Sequence, residues 1–89
     1  MPALLVTYDL NKPGQDYSDV LKTIKSYAYA RLSESSYAII TDKSADTVFE
    51  ELKKYIDKND NLLVINLKKS FAGRQSQEVL DWLTKNLPY

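Results

Sequence analysis

Three groups of side chains in this sequence have the types and spacing that could do chemistry. Asp9 ends the tripeptide Thr7-Tyr8-Asp9, and a carboxylate at the end of a strand can help to hold a divalent cation. Tyr29 and Arg31 stand two residues apart, so in a strand they share a face and could stack on bases or nucleotides. The third group is a local cluster of cations that could bind a phosphate, namely Lys68, Lys69 and Arg74.

Each candidate also has an ordinary structural interpretation. Asp9 at a strand end would accept hydrogen bonds from a turn at Asn11, and we favour this interpretation over metal ligation. Tyr8, a further candidate for ligand binding, is of a type that more often fills a core. Tyr29 and Arg31 would line a dimer seam or a sheet edge, and lysines in a loop are usually just solvated.

The composition limits the chemistry that is available. The chain has 89 residues, which is enough for a single domain spanning 1–89, and it contains neither cysteine nor histidine. A disulfide scaffold, thiolate chemistry and a histidine base are therefore excluded. Twelve basic and twelve acidic side chains cancel. This balance argues against a dedicated nucleic-acid binder, although it leaves room for a local basic patch.

The hydropathy pattern predicts a cytoplasmic protein that does not enter a membrane. The first residues carry neither the basic region nor the cleavage site of a signal peptide. The longest apolar runs are far shorter than the roughly 20 residues that a membrane-spanning helix needs.

The periodicity of apolar residues predicts strands and helices in alternation. Two-residue periods and short apolar runs predict strands over 3–8, 27–32, 36–41 and 62–67. Helical stripes follow caps predicted at Asp16, Ser44 and Ser76, and a turn is predicted at 11–14. An alternative is that the first helix continues through Ala28 or Ala30.

The order of these elements is β-α-β-β-α-β followed by a further helix. This is the ferredoxin-like pattern of the α+β class, in which an antiparallel sheet carries its first two helices on one face. The predicted fold is therefore a ferredoxin-like βαββαβ sheet with an additional C-terminal helix.

Both faces of the predicted sheet carry aliphatic side chains. In the last strand, Leu62 and Val64 fall on one face, whereas Leu63 and Ile65 fall on the other. Helices on one side leave the opposite cluster without cover. Either the C-terminal helix folds under its own sheet or a second copy docks there, and we favour a homodimer.

The motif Thr7-Tyr8-Asp9, at the end of a first strand in a chain of this length and element order, resembles the small CRISPR-associated Cas-two family. It also resembles relatives outside CRISPR loci, such as the virulence-associated protein D group, which points to a phage or another mobile element. The resemblance covers about residues 3–67. It implies a ferredoxin-like homodimer in which the aspartate ending the first strand lies near the dimer axis. In some members that residue holds a divalent cation for nuclease chemistry, a role that would fall to Asp9 here.

Two features depart from the pattern of that family. The segment after Asp9 lacks a basic stretch, and a loop and a helix replace the fifth strand that crosses onto the partner. We therefore favour a non-catalytic dimeric module, without a cofactor, that binds a nucleotide or nucleic acid. The candidate binding residues are Tyr8, Tyr29, Arg31, Lys68, Lys69 and Arg74. The alternative is a metal-dependent nuclease that cleaves RNA or DNA through Mg²⁺ or Mn²⁺ at Asp9.

Overall fold

The computed structural model describes residues 2–11 and 17–89, which form four strands and three helices. The predicted turn at 11–14 and the cap at Asp16 fall largely outside the described residues. The order of elements is the predicted one. The elements are β1 (Ala3–Asp9), α1 (Ser18–Ile24), β2 (Ala28–Ser33), β3 (Ser36–Ile40), α2 (Ala45–Lys53), β4 (Asn61–Leu67) and α3 (Gln77–Asn86).

The strands form one antiparallel sheet in the order β2-β3-β1-β4. In this sheet β1 is a central strand, and its first residue, Ala3, pairs with Ile40 of β3 and Leu67 of β4. Its last residue, Asp9, pairs with Asn61 at the start of β4. The predicted α+β architecture of ferredoxin-like type with an added C-terminal helix is confirmed.

Two predicted caps begin helices as expected. The Ser44 hydroxyl accepts a hydrogen bond from the Thr47 amide at 3.1 Å, and the Ser76 hydroxyl accepts one from the Val79 amide at 3.3 Å. Helix α1 ends at Ile24, and β2, which begins at Ala28, pairs with β3. The alternative in which that helix continues through Ala28 is therefore wrong. None of the described helices has the length and apolar character needed to cross a bilayer.

The main core lies between the sheet and the first two helices. Even-numbered residues of β1 point into it, and they meet apolar residues that the helical stripes of α1 and α2 supply. The fully buried members of this core are Leu4, Val6, Val20, Ile24, Ile39, Val48 and Leu52.

The opposite sheet face is only partly covered, by α3. Leu83 and Leu87 of α3 pack with Ala3 and Ala38, so the C-terminal helix does fold under its own sheet. Beyond that cover, the side chains of Leu63 and Ile65 remain 60% and 45% exposed on β4. Ile65 pairs with Leu5 of β1 on the same face. We call Leu5, Leu63 and Ile65 the β4 strip.

Candidate ligand groove and strand-end carboxylates

A groove runs along the free edge of β2, where this strand meets α3. It has a volume of about 400 Å³. The sheet register places Tyr29 and Arg31 opposite Ile39 and Tyr37, on the face that α1 and α2 cover. The two residues share a face, as their two-residue spacing predicted, although the spacing did not indicate which face. The groove therefore wraps around the sheet edge. Its lining residues are Tyr29, Ala30, Arg31, Ser76, Glu78, Val79 and Trp82.

The aromatic walls of this groove come from both sides of the sheet. The Tyr29 ring is 39% exposed and lies 5.8 Å from the ring of Tyr37, tilted by 58°. Trp82 is half-buried, because it packs beside the small core under α3. Trp82 was not among the candidate residues predicted from the sequence. Its position beside the apolar stripe of the last helix was the signal that could have identified it.

Two charged groups of opposite sign line the same groove without pairing. The Arg31 Nε donates to the Ser33 carbonyl at 3.3 Å, and within the described residues its two terminal nitrogens have no acceptor. The Glu78 carboxylate likewise makes no hydrogen bond or ion pair with any residue that the structure describes. The groove therefore offers a planar donor and a carboxylate acceptor to a ligand.

The predicted basic cluster is divided between the two ends of α3. The Lys69 amide donates to the Pro88 carbonyl at 2.6 Å, and the Lys69 ammonium lies 4.5 Å from the centre of the Tyr89 ring. At the other end of the loop, the Gln75 side chain donates to the Leu32 carbonyl at 2.7 Å. Helix α3 has ten residues and is about 15 Å long.

This division separates Arg74 from the two lysines. Lys68 lines a hollow with Pro2 and Pro88, close to Lys69, whereas Arg74 precedes the anchored Gln75. Arg74 thus lies toward the groove end of α3, and the two lysines lie toward the end of the chain.

Tyr8 contributes to the hairpin between β2 and β3. Its hydroxyl donates to the Glu34 carbonyl at 3.0 Å, and its ring packs against the main core. Burial is the largest cause that raises the pKa of Tyr8, the nearby Tyr37 hydroxyl adds to it, and the charge of Arg31 opposes it. Tyr8 thus holds the hairpin beside the groove residue Arg31.

Asp9 is exposed at the end of β1. The predicted contact with Asn11 is present, but the Asn11 side-chain amide donates to the main-chain carbonyl of Asp9, at 3.3 Å. Its carboxylate has no hydrogen-bond partner among the described residues. No group of three acidic side chains that could hold a metal occurs in residues 2–11 and 17–89. One carboxylate from a single copy does not make a Mg²⁺ site, because this cation needs further oxygen ligands.

A second carboxylate near this end of the sheet, that of Asp60, was missed by sequence analysis. It accepts hydrogen bonds from the main-chain amides of Asn11 and Asp57, at 2.6 and 2.7 Å. The Tyr17 hydroxyl contacts its two oxygens at 2.9 and 2.8 Å. Asp60 is buried and ties together three segments that meet at the ends of β1 and β4. Its position just before a strand, in Asn59-Asp60-Asn61, was the only signal in the sequence.

The topology and register described above define an α+β domain of ferredoxin-like type with an exposed carboxylate at the end of its first strand. The family model for CRISPR associated protein Cas2 matches residues 1–85, and the chain therefore belongs to this family. The match extends through most of α3, further than the resemblance carried by the N-terminal motif. No curated protein matches the chain.

Proposed function

We propose that this Cas2-family chain is a homodimeric module that binds a nucleotide or nucleic acid in the β2–α3 groove without catalysing a reaction. One observation carries the proposal. The groove brings Tyr29 and Trp82 together with a guanidinium, that of Arg31, whose terminal nitrogens have no acceptor in the described structure. Aromatic faces and guanidinium planes are the surfaces on which unstacked bases bind.

Removing the groove side chains tests this proposal. We expect Tyr29→Ala to weaken the binding of a short labelled oligonucleotide by about fivefold to a hundredfold, since stacking of one base is worth about 1–3 kcal/mol. Arg31→Ala should weaken binding too and reduce its dependence on salt. Fluorescence anisotropy at two salt concentrations measures both effects.

A matched control is available for this experiment. Phe71 is 38% exposed, similar to Tyr29, and lies in a different hollow with Lys69 and Thr84. Phe71→Ala should bind as the wild type does. If Tyr29→Ala and Arg31→Ala fold and bind with unchanged affinity, the groove is not the nucleic-acid site.

The proposed homodimer is supported by the β4 strip. Leu63 and Ile65 remain exposed after α3 has covered its part of the sheet. Burying an aliphatic side chain of this size stabilises by about 1.5–3 kcal/mol. A second copy related by a two-fold axis places the same strip on both sides of the interface, which is the usual arrangement in a small symmetric dimer.

A nuclease is the second candidate function, and the register of β1 favours it. Because residues that pair across strands share a face, Asp9 lies on the same face as the β4 strip, at its end beside Asn61. A two-fold axis near this end would set two Asp9 carboxylates side by side, and the pair could hold one Mg²⁺ or Mn²⁺. Such a cation polarises a phosphoryl oxygen and favours ionisation of a bound water.

Cleavage assays separate the two candidates. The binding module predicts that purified protein leaves RNA and DNA intact with Mg²⁺, with Mn²⁺ and with a chelator. The nuclease predicts cleavage that requires the metal and disappears in Asp9→Asn, although the variant remains dimeric. Asp42→Asn, which changes another exposed aspartate, is the control and should match the wild type. Metal-dependent cleavage that Asp9→Asn abolishes would overturn the non-catalytic proposal.

A further inference from the structure

The charged groups of the groove restrict which base it can hold. We infer that its preferred ligand is an unpaired guanine, and this inference rests on the proposed function of the groove as a nucleic-acid site. The relevant groups are Arg31 on β2, Glu78 at the start of α3, and the rings of Tyr29 and Trp82.

The groove suits one unstacked base rather than a duplex. Its volume of about 400 Å³ lies within the roughly 300–1,000 Å³ typical of small-ligand sites. In a duplex the faces of the bases are stacked on each other, so aromatic side chains reach them only in single strands, loops and ends. The carboxylate of Glu78, which lines the same groove as Arg31, would also repel a run of phosphates, and this argues against binding along a backbone.

Guanine matches the Arg31 guanidinium and the Glu78 carboxylate, the two charged groups of the groove that lack an ionic partner among the residues the structure describes. It presents two adjacent N–H donors, at N1 and at the 2-amino group, which the two oxygens of the Glu78 carboxylate can accept. It also presents two adjacent acceptors, O6 and N7, which the terminal nitrogens of Arg31 can contact as a bidentate pair. None of the other three DNA bases carries both an adjacent pair of donors and an adjacent pair of acceptors.

The only tryptophan of the chain, Trp82, lines the groove and serves as the probe. We titrate the protein with nine-residue thymine strands that carry guanine, adenine, cytosine, inosine or 7-deazaguanine at the centre, and follow quenching of Trp82 fluorescence. Guanine should bind about tenfold more tightly than adenine or cytosine, the discrimination typical of one bidentate contact. Inosine, which lacks the 2-amino group, and 7-deazaguanine, which lacks N7, should each lose most of that preference.

Two variants and one control test which residues produce the preference for guanine. Glu78→Gln should bring guanine and adenine to within about twofold of each other, because the amide replaces one acceptor oxygen by a donor. Glu50→Gln removes an exposed carboxylate of α2 that lies outside the groove and should leave the preference unchanged. Arg31→Lys should lower the guanine preference and keep most of the salt-dependent affinity, since lysine retains the charge without the planar fork.

The outcomes are distinguishable from one another. Guanine preference that Glu78→Gln abolishes and Glu50→Gln retains would establish the inference. Equal quenching by all five strands would overturn the guanine inference and leave the groove as a nucleic-acid site. If no strand quenches Trp82, both the inference and the proposed function are wrong. Guanosine monophosphate that binds as tightly as the guanine strand would identify a free nucleotide, with the same chemistry, as the ligand.

Discussion

Asp60→Ala is expected to lower the free energy of unfolding by about 3–5 kcal/mol. Its carboxylate accepts from Asn11, Tyr17 and Asp57 in the described structure. A single hydrogen bond to a charged group contributes about 1.5–3 kcal/mol, and bonds that share one acceptor group contribute less than the sum of their separate values. The variant also leaves partly buried donors without an acceptor, which adds the cost of removing them from water. A loss of this size is a large fraction of the 5–15 kcal/mol that is typical for a whole domain.

Denaturation in urea measures this effect, and the midpoint should shift with little change in slope. Asp60→Asn should lower the free energy of unfolding less than Asp60→Ala does, because the amide of asparagine keeps one oxygen that can accept hydrogen bonds. Asp42→Ala, at an exposed aspartate, should change the free energy by no more than about 0.5 kcal/mol. If Asp60→Ala lowers the free energy of unfolding by less than about 1 kcal/mol, the three segments stay packed together without this carboxylate, and the prediction is wrong.

The second large effect is expected in the proposed dimer. Replacing both Leu63 and Ile65 by aspartate should raise the dissociation constant by about a thousandfold or more. Removing two aliphatic contacts costs about 3–6 kcal/mol, and each 1.4 kcal/mol is a factor of ten. Burial of the new carboxylates adds to this loss. The single subunit should keep its fold, since these side chains are 60% and 45% exposed within it.

Sedimentation velocity over a wide range of concentrations follows the oligomeric state, and the thermal melt confirms folding. Phe71→Asp is the control, because Phe71 is an exposed aromatic residue that does not belong to the β4 strip. A wild type that remains a single subunit at high concentration would contradict the homodimer. The shared cation site at two copies of Asp9 would then be excluded as well.

The sequence was sufficient to predict the strands and helices and to assign side chains to the two faces of the sheet. Alternation in β1 placed Leu4 and Val6 on one face, and both are fully buried under α1 and α2. The caps at Ser44 and Ser76 follow from local hydrogen-bonding rules, which is why they could be predicted. Helix caps and the alternation of a strand are determined by nearby residues, so a local sequence pattern is enough to predict them.

The candidate site was less predictable, because it depends on how distant segments dock. Tyr29 and Arg31 were recognised from their spacing, but Trp82 joins them only because α3 packs beneath its own sheet. The contact between Asp60 and Asn11 joins residues 49 positions apart. Lys68 and Arg74 are only six positions apart in the sequence, yet the contact of Gln75 with Leu32 draws Arg74 toward the opposite end of α3 from Lys68.

Helix α3 also changes what is available for a second copy. By covering Ala3 and Ala38, it buries the part of the sheet face closer to β2, so that only the part along β4 remains exposed. The β4 strip is therefore narrower than the cluster that the sequence indicated. The homodimer that we propose would be built around β4, next to the end of β1 that carries Asp9.

The two outermost described parts of the chain meet at one corner of the sheet. Pro2 and Pro88 line the same hollow, and each has its carbonyl held by an amide, from Thr41 and Lys69 respectively. The seven residues of β1 place Asp9 about 20 Å from this corner. A fluorescent label attached at Pro2 or Pro88 would thus lie far from the Asp9 carboxylate, and labels at both positions would lie close to each other.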